Sequence, residues 1–278
     1  MTDDSKQRLA ALFSLMSEEY DQSGVEFFST FGAALVEFAE LRAGERVLDV
    51  GCGRGAVTFP AAEAVGEGGH VEAIDISPGM VELLASDAAQ RGIGNIDARV
   101  GDAEAPDVEE GSLDAVLASL VLFFLPDLGA ALRAYRVALR PGGRLAFTSF
   151  GETSATWASI EQRFASFLPD GHPMEEAAGR LQETPPLASE EAIRRPLIDA
   201  GYGEIHVEER LYPIRYGTGE DFVRWSRTTG RRAFWDAVPA SRLGEAEVEI
   251  AAMVDELRDE HGQLAEPVRI LLTTAISP

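Results

Sequence analysis

The sequence predicts an α/β fold in which a doubly wound, mostly parallel sheet is covered by helices on both faces. By residue 150 the chain contains five short apolar segments separated by segments with helical spacing, a pattern typical of such sheets. A glycine-rich turn follows the first apolar segment, and an acidic residue ends the second. Doubly wound folds bind nucleotides with these two features.

The composition indicates an acidic globular chain of one or two domains. Of its 278 residues, 45% are hydrophobic, which supports a sizeable core. A net charge of −23 disfavours nucleic acids and anionic membranes as partners. Cys52 is the sole cysteine, and no His/Asp/Glu cluster has metal-ligand spacing. No apolar run approaches the roughly 20 residues that span a bilayer. We expect a cytoplasmic monomer or homodimer without a metal or a signal peptide.

The elements follow one another with clear boundaries. Residues 5–40 show two helical stripes, and a Ser77-Pro78 pair opens a later helix as its cap and first residue. A Pro-Gly-Gly turn at 141–143 separates the next helix from the fifth strand. The first five predicted strands are 45–50, 70–75, 96–100, 113–120 and 145–150.

The second half of the chain differs in character and predicts helical insertions around a sixth strand at 205–210 and a last strand at 268–275. All three tryptophans, at 157, 225 and 235, lie in the two insertions. They suit a lid over an apolar substrate, or equally the packing of small helices onto the sheet. The expected organisation is a helical cap (1–44), a cofactor-binding core (45–150), a helical lid (151–190), a return helix and sixth strand (191–217), a second helical insertion (218–262) and a final strand (263–278).

The glycine-rich turn indicates a cofactor that approaches the main chain closely. Gly51 and Gly53 lack the Cβ atoms that would keep a ligand away, and the following helix offers free N–H groups. The run Gly51-x-Gly53-x-x-Ala56 also fits the dinucleotide fingerprint. Asp49 favours another ligand, because a carboxylate would repel a pyrophosphate but suits an ammonium or a sulfonium. S-adenosyl-L-methionine carries both cations.

The stretch 47–55 closely resembles the first motif of the class I S-adenosylmethionine-dependent methyltransferases. The Gly-Asp-Ala run at 101–103 and the Arg-Pro-Gly-Gly run at 140–143 resemble that family too. Its small-molecule members, such as the ubiquinone and menaquinone biosynthesis methyltransferases, are the most similar type. The resemblance implies a Rossmann-like, seven-stranded sheet with an antiparallel final strand at its edge. It also implies S-adenosyl-L-methionine as cofactor and S-adenosyl-L-homocysteine as product.

Spacing and resemblance together select the candidate cofactor residues. Asp75 ends the second strand 24 positions after Gly51 and is expected to bind ribose hydroxyls. Asp102 follows the third strand and is expected to accept from the adenine amino group. The resemblance implies that Tyr20 covers the methionine end and that Met80 packs on the adenine. The full set is Tyr20, Asp49, Gly51, Cys52, Gly53, Asp75, Ile76, Met80, Asp102, Ala103 and Ser119.

The acceptor is less defined than the cofactor. The proposed reaction is methyl transfer to an oxygen, nitrogen or carbon of a small, partly apolar molecule, and a base is needed only for a protonated acceptor. Among the four histidines His172 is the candidate base, although a solvated loop histidine is the alternative. Five arginines between 215 and 232 form either an anion site or a salt-bridged helix surface. A cyclase that retains the cofactor and a nicotinamide oxidoreductase are the competing functions.

Overall fold

The computed structural model describes residues 3–152, 154–172, 186–259 and 264–278. In these ranges seven strands form one sheet with the order β3-β2-β1-β4-β5-β7-β6. The predicted strands at 70–75 and 96–100 are confirmed, and the others shift or lengthen. The strands are β1 Arg46–Val50, β2 His70–Asp75, β3 Ile96–Val100, β4 Leu113–Ser119, β5 Leu139–Phe150, β6 Gly203–Tyr216 and β7 Leu264–Ile276.

Helices cover both faces of the sheet and build the cap. The predicted helical region at 5–40 is two helices separated by a connection that contains Tyr20. Ser77 caps its helix as expected, since its side chain accepts from the Met80 N–H. The helices are α1 Asp3–Met16, α2 Phe28–Phe38, α3 Thr58–Val65, α4 Pro78–Gln90, α5 Leu128–Ala138, α6 Ala155–Ala165, α7 Glu190–Asp199, α8 Gly219–Ser226, α9 Arg232–Ala237 and α10 Leu243–Asp255.

Strand β7 is antiparallel, as predicted, but its predicted place at the sheet edge is wrong. It lies between β5 and β6 and pairs with both in antiparallel register. Ile270, Leu272 and Ala275 of β7 are fully buried, as interior strands require. Strand β6 forms this edge of the sheet instead. It exposes alternate residues, among them Glu204 and His206. Polar and charged side chains on an edge strand hinder its pairing with another strand.

Strand β5 begins earlier than expected and includes the predicted turn. Its pairing with β4 shifts register between Leu113 and Ala115. Gly142 has a φ of +79° and its N–H donates to the Ser277 carbonyl at 2.8 Å. The Pro-Gly-Gly segment is therefore an irregular start of the strand, because its backbone groups pair with the end of the chain.

The insertions pack into one aromatic cluster above the carboxyl ends of the strands. This cap cluster joins residues of α2, α6, α8, α9 and α10 to the C-terminal end of β6 and the N-terminal part of β7. Trp225 and Trp235 are 1% and 3% exposed, so both serve packing, and the Trp157 side chain lies outside the described residues. Throughout the described ranges, no helix has both the length and the apolar character to cross a bilayer.

Candidate cofactor and active site

A cavity of about 820 Å³, part of it open to solvent, lies at the carboxyl ends of β1 to β4. Open α/β sheets bind ligands at this edge. Nine of the predicted cofactor residues line it together: Tyr20, Gly51, Gly53, Asp75, Ile76, Met80, Asp102, Ala103 and Ser119.

The turn after β1 is built for close approach. Gly51 and Gly53 have φ values of +66° and +51°, in the left-handed region that side chains avoid. A Cβ on Gly51 would meet Val121 Cγ2 at 2.4 Å, whereas a Cβ on Gly53 would meet only Tyr20 Cε1, at 3.8 Å. The missing side chain at Gly51 therefore makes room for Val121, just after β4. The missing side chain at Gly53 leaves the space above the loop open.

Asp75 connects this turn to the end of β2. Its Oδ2 accepts from the Gly53 N–H at 2.9 Å, and its Oδ1 accepts from the Ser77 N–H at 2.8 Å. Burial raises the pKa of Asp75, while the backbone N–H groups of Ser77, Gly53 and Ile76 oppose that rise. Because a carboxylate has about four lone-pair sites, Asp75 keeps acceptor capacity for a ligand hydroxyl.

At the other side of the cavity an ion-pair cluster joins the turn after β3 to α1. Lys6 Nζ donates to Asp102 Oδ2 at 2.7 Å and also contacts Glu104 Oε2. The Glu104 N–H donates to Asp102 Oδ1 at 2.9 Å. Partial burial alone would raise the pKa of Asp102, but the hydrogen bonds from Lys6 and the Glu104 N–H bring it below its ordinary value.

Aromatic rings close the cavity from the side of the N-terminal helices. Tyr20 stacks on Phe28 with ring centroids 4.6 Å apart, and Phe13 meets the edges of Tyr20 and Phe124. All four rings line the cavity. Burial first, and then the charges of Asp21 and Asp75, raise the pKa of Tyr20 well above its usual value, so its phenol stays neutral.

Asp49 and Cys52 do not line the cavity. Asp49 is 1% exposed, and its Oδ2 accepts from Thr58 Oγ1 at 2.5 Å. Burial raises its pKa to about 7, against the hydrogen bond from Thr58. Cys52 is buried beside Ala73 and Leu84, and burial raises the pKa of its thiol well above the usual value. The predicted cofactor contacts of Asp49 and Cys52 stay predictions.

The end of β4 has an unusual backbone. Leu120 has a φ of +55°, although it is a bulky residue, and its N–H donates to both the carbonyl and Oγ1 of the buried Thr148. Ser119 Oγ lies 2.9 Å from the same Thr148 Oγ1. These bonds hold Leu120 where it both lines the cavity and joins the cap cluster. Such strain is found where surrounding structure fixes a functional site.

The structure does not bring His172 to the cavity. Its backbone N–H donates to the Pro169 carbonyl, and it is not among the described residues that line the wall. Its predicted role as a base stays a prediction. Four of the five arginines between residues 215 and 232 form ion pairs with carboxylates on α6, α8, α9 and α10, as expected for a salt-bridged helix surface. They are Arg224, Arg227, Arg231 and Arg232.

Sequence reasoning missed the contribution of α1 to the wall. Lys6, Leu9 and Phe13 line the cavity together. They fall at positions i, i+3 and i+7, so they share one face of the helix. The signal was present, since Lys6 is the only lysine among 24 basic residues and precedes an apolar stripe.

Comparison with known proteins agrees with this geometry. A family described as a methyltransferase domain matches residues 47–143. The chain is 35% identical to the nocamycin O-methyltransferase of Saccharothrix syringae over 246 residues, which cover 86% of this chain and 88% of that protein. It is 45% identical to the aklanonic acid methyltransferase DauC of Streptomyces sp. (strain C5) over 164 residues, covering 59% and 74%.

The fold has counterparts among solved structures. The YcgJ protein of Bacillus subtilis superposes with a TM-score of 0.59 and 17% identity, covering 89% of this chain and 97% of that one. At that identity the likeness concerns the fold alone. The relatives of higher identity extend over most of the chain, and the matched family domain contains the glycine-rich turn and Asp102. The chain belongs to the class I S-adenosylmethionine-dependent methyltransferases and methylates a small molecule.

Proposed function

We propose that this enzyme transfers the methyl group of S-adenosyl-L-methionine to an oxygen of a small natural-product acid. The observation that carries the proposal is the 35% identity to an O-methyltransferase over 86% of the chain. A second relative is by name a methyltransferase of an acid. Both relatives methylate, which favours methyl transfer over the cyclase alternative.

The cavity fits the cofactor. The space above Gly53 would be narrowed by any Cβ, and the loop presents main chain at that point. Asp75 is assigned to the ribose hydroxyls and Asp102 to the adenine amino group. Ile76 and Met80 supply apolar surface for the adenine ring, and Tyr20 covers the methionine end. When bound, S-adenosyl-L-methionine supplies a methyl group that its sulfonium already activates.

The protein's task is then to orient the acceptor and exclude water. Phe28, Leu120 and Phe124 are part of the apolar wall, and Leu120 also belongs to the cap cluster. This surface suits a flat, partly apolar acceptor. Leu120 is held by two bonds to Thr148, so the acceptor would meet a fixed wall.

The titratable groups argue for an acceptor that needs no base. Among the described residues, the titratable side chains that line the cavity are Lys6, Tyr20, Asp75 and Asp102. Lys6 and Asp102 are ion-paired with each other, the pKa of Tyr20 is raised well above its usual value, and both oxygens of Asp75 already accept backbone N–H groups. A carboxylic acid is ionised at neutral pH and can attack without proton removal.

The test is a transfer assay with methyl-labelled S-adenosyl-L-methionine and a panel of flat aromatic carboxylic acids. Their methyl esters and the corresponding amines serve as matched controls. We expect label and the mass of one added methyl group in an acid, released again as methanol by mild alkaline hydrolysis of the ester. Label that resists hydrolysis would contradict carboxylate methylation, and products of unchanged mass would contradict methyl transfer itself.

A further inference from the structure

Helix α1 covers the cavity with one face, and its two ends are held differently. At its C-terminal end, Ser14 Oγ lies 2.8 Å from Ser77 Oγ, and Arg54 donates to the carbonyls of Ser17 and Glu18 just beyond the helix. Gly79 packs tightly there, since a Cβ on it would lie 2.9 Å from Ser17 Oγ. This end is anchored to α4 and to the glycine-rich turn.

The N-terminal part of α1 reaches across the cavity through Lys6. Among the described residues that line the cavity, Lys6 is the one cation, and it contacts Asp102 and Glu104 together. Its side chain is 22% exposed, compared with 13% for Glu104. Without this ammonium group two neighbouring carboxylates would face one another at the rim, and their repulsion would favour turning Asp102 towards water.

We propose that Lys6 is a positioning residue for the cofactor, which holds Asp102 in the orientation that recognises the adenine amino group while it closes α1 over the cavity. The inference rests on the proposed cofactor assignment. Lys6 occupies one lone-pair site on Asp102 Oδ2, and the Glu104 N–H occupies one on Oδ1. Since a carboxylate has about four such sites, two remain for an amino donor.

This arrangement makes a distinct prediction about ligand choice. S-adenosyl-L-homocysteine carries the 6-amino group, whereas S-inosyl-L-homocysteine carries a carbonyl oxygen at that position and a proton on the neighbouring N1; the ribose and homocysteine parts are the same. An oriented Asp102 accepts from the amino group but repels the oxygen. Loss of Lys6 should therefore weaken the first ligand more than the second, and a purely structural role of Lys6 would weaken both alike.

The experiment is calorimetric titration of the full chain and its variants with both ligands. For the wild type we expect a preference of about tenfold or more for S-adenosyl-L-homocysteine, as for one hydrogen bond with a charged acceptor. For Lys6→Met we expect the preference to fall below about threefold, and Lys6→Arg should restore most of it because a guanidinium also donates to both carboxylates. Arg195→Met, which removes an exposed ion pair on α7, should leave the preference unchanged.

Three results would overturn the inference, and they can be told apart. An unchanged preference in a folded Lys6→Met protein, with wild-type preference present, would refute the role of Lys6 alone. Equal binding of both ligands by the wild type, or binding of neither, would refute the assignment of Asp102 to the adenine and with it the cofactor placement. A preference lost in Lys6→Arg as fully as in Lys6→Met would also contradict the proposal.

Discussion

The Gly53 N–H donates to Asp75 Oδ2 at 2.9 Å, so the glycine-rich turn and the acid at the end of β2 form one unit. Asp75 also accepts from the Ser77 N–H, which fixes its carboxylate from a second direction. The two motifs are 22 residues apart in the sequence, and parallel pairing of β1 with β2 brings them together. Two of the predictions below concern this unit.

The first prediction concerns ribose binding by Asp75. We expect Asp75→Ala to weaken S-adenosyl-L-homocysteine binding by about 1–3 kcal/mol, because the ribose hydroxyls and the Gly53 N–H lose their acceptor. Asp75→Asn should lose less, since one acceptor oxygen remains. Calorimetric titration measures both, with Asp97→Ala on the exposed face of β3 as a matched carboxylate control. Unchanged affinity in folded Asp75→Ala would remove the ribose assignment.

The second prediction separates the steric role of Gly53 from its backbone role. Gly53→Ala should cost about 1 kcal/mol of folding stability, the usual penalty of a side chain at positive φ. Its binding of S-adenosyl-L-homocysteine should fall by about tenfold or more, because the Cβ narrows the space over the loop. Gly44→Ala is the control, since Gly44 also has a positive φ, of +87°, and no atom lies within 4 Å of the added Cβ.

Gly53→Ala and Gly44→Ala both place a side chain at a positive φ, and they differ in whether the added Cβ enters the space over the glycine-rich turn. Both variants should show a similar loss in the free energy of unfolding from urea titration, and only Gly53→Ala should lose the ligand. Equal, unimpaired binding by both variants would show that no ligand approaches the main chain at Gly53.

The third prediction is a pH dependence of stability that arises from Asp49. Burial raises its pKa to about 7 in the folded protein, above the ordinary value near 4 expected in the unfolded chain. The folded state therefore binds the proton more tightly, and this contribution is fully present below about pH 4 and lost as pH rises through about pH 7. Asp49→Asn cannot ionise and lacks this loss.

Urea titrations of the wild type and Asp49→Asn at about pH 5 and about pH 8 measure the effect. Relative to the wild type, the variant should gain about 2.5 kcal/mol between the two pH values, because the part of the effect between about pH 4 and about pH 5 is already lost at the lower one. Thr58→Val serves as a control that removes the hydrogen bond and keeps the carboxyl group. A stability difference between wild type and Asp49→Asn that does not change with pH would contradict the raised pKa.

The sequence predicted the central sheet because the motifs that define it are local. The first three predicted strands end at or directly before a residue that signals a turn, namely Gly51, Asp75 and Gly101, and Ser77 caps the helix after the second strand. The position of β7 inside the sheet could not be predicted in the same way. It depends on pairing with β5 and β6, which are distant in sequence, and the apolar face of β7 does not indicate its neighbours.

In the candidate site too, the residues that belong to local motifs were predictable and those that depend on long-range packing were not. Eight of the nine predicted residues that line the cavity lie at or just after the ends of adjacent strands or begin the helices next to them, and Tyr20 comes from the connection between α1 and α2. Asp49 differs because its side chain points to Thr58 on α3, a contact that depends on how the helix packs. Lys6 was missed because its partners Asp102 and Glu104 lie about a hundred residues away, so its position before the apolar stripe of α1 did not indicate what it contacts.

The fourth prediction concerns the absence of a base among the described lining residues. If the acceptor is a carboxylate, kcat should stay constant within about twofold between about pH 6 and about pH 8, because the acceptor is ionised throughout. His172→Ala should have the same flat profile and a kcat within about threefold of wild type, as expected for a residue outside the reacting groups. Steady-state assays with saturating S-adenosyl-L-methionine measure both.

A rising limb in the pH profile of kcat that disappears in His172→Ala would assign the histidine as base and contradict the carboxylate acceptor. His206→Ala is the control, since His206 lies on the exposed edge strand β6 and stacks on Phe38, away from the cavity. This variant should leave the profile unchanged whichever account is correct.

The central claim is that the cavity beside Gly53 and Asp75 binds S-adenosyl-L-methionine and not a dinucleotide. Competitive calorimetry tests it most directly, by titrating S-adenosyl-L-homocysteine into the protein with and without saturating S-adenosyl-L-methionine, and separately with NAD⁺. We expect one site per chain, full competition by S-adenosyl-L-methionine, no competition by NAD⁺, and weaker binding in Gly53→Ala. Competition by NAD⁺, or binding that Gly53→Ala leaves intact, would contradict the account.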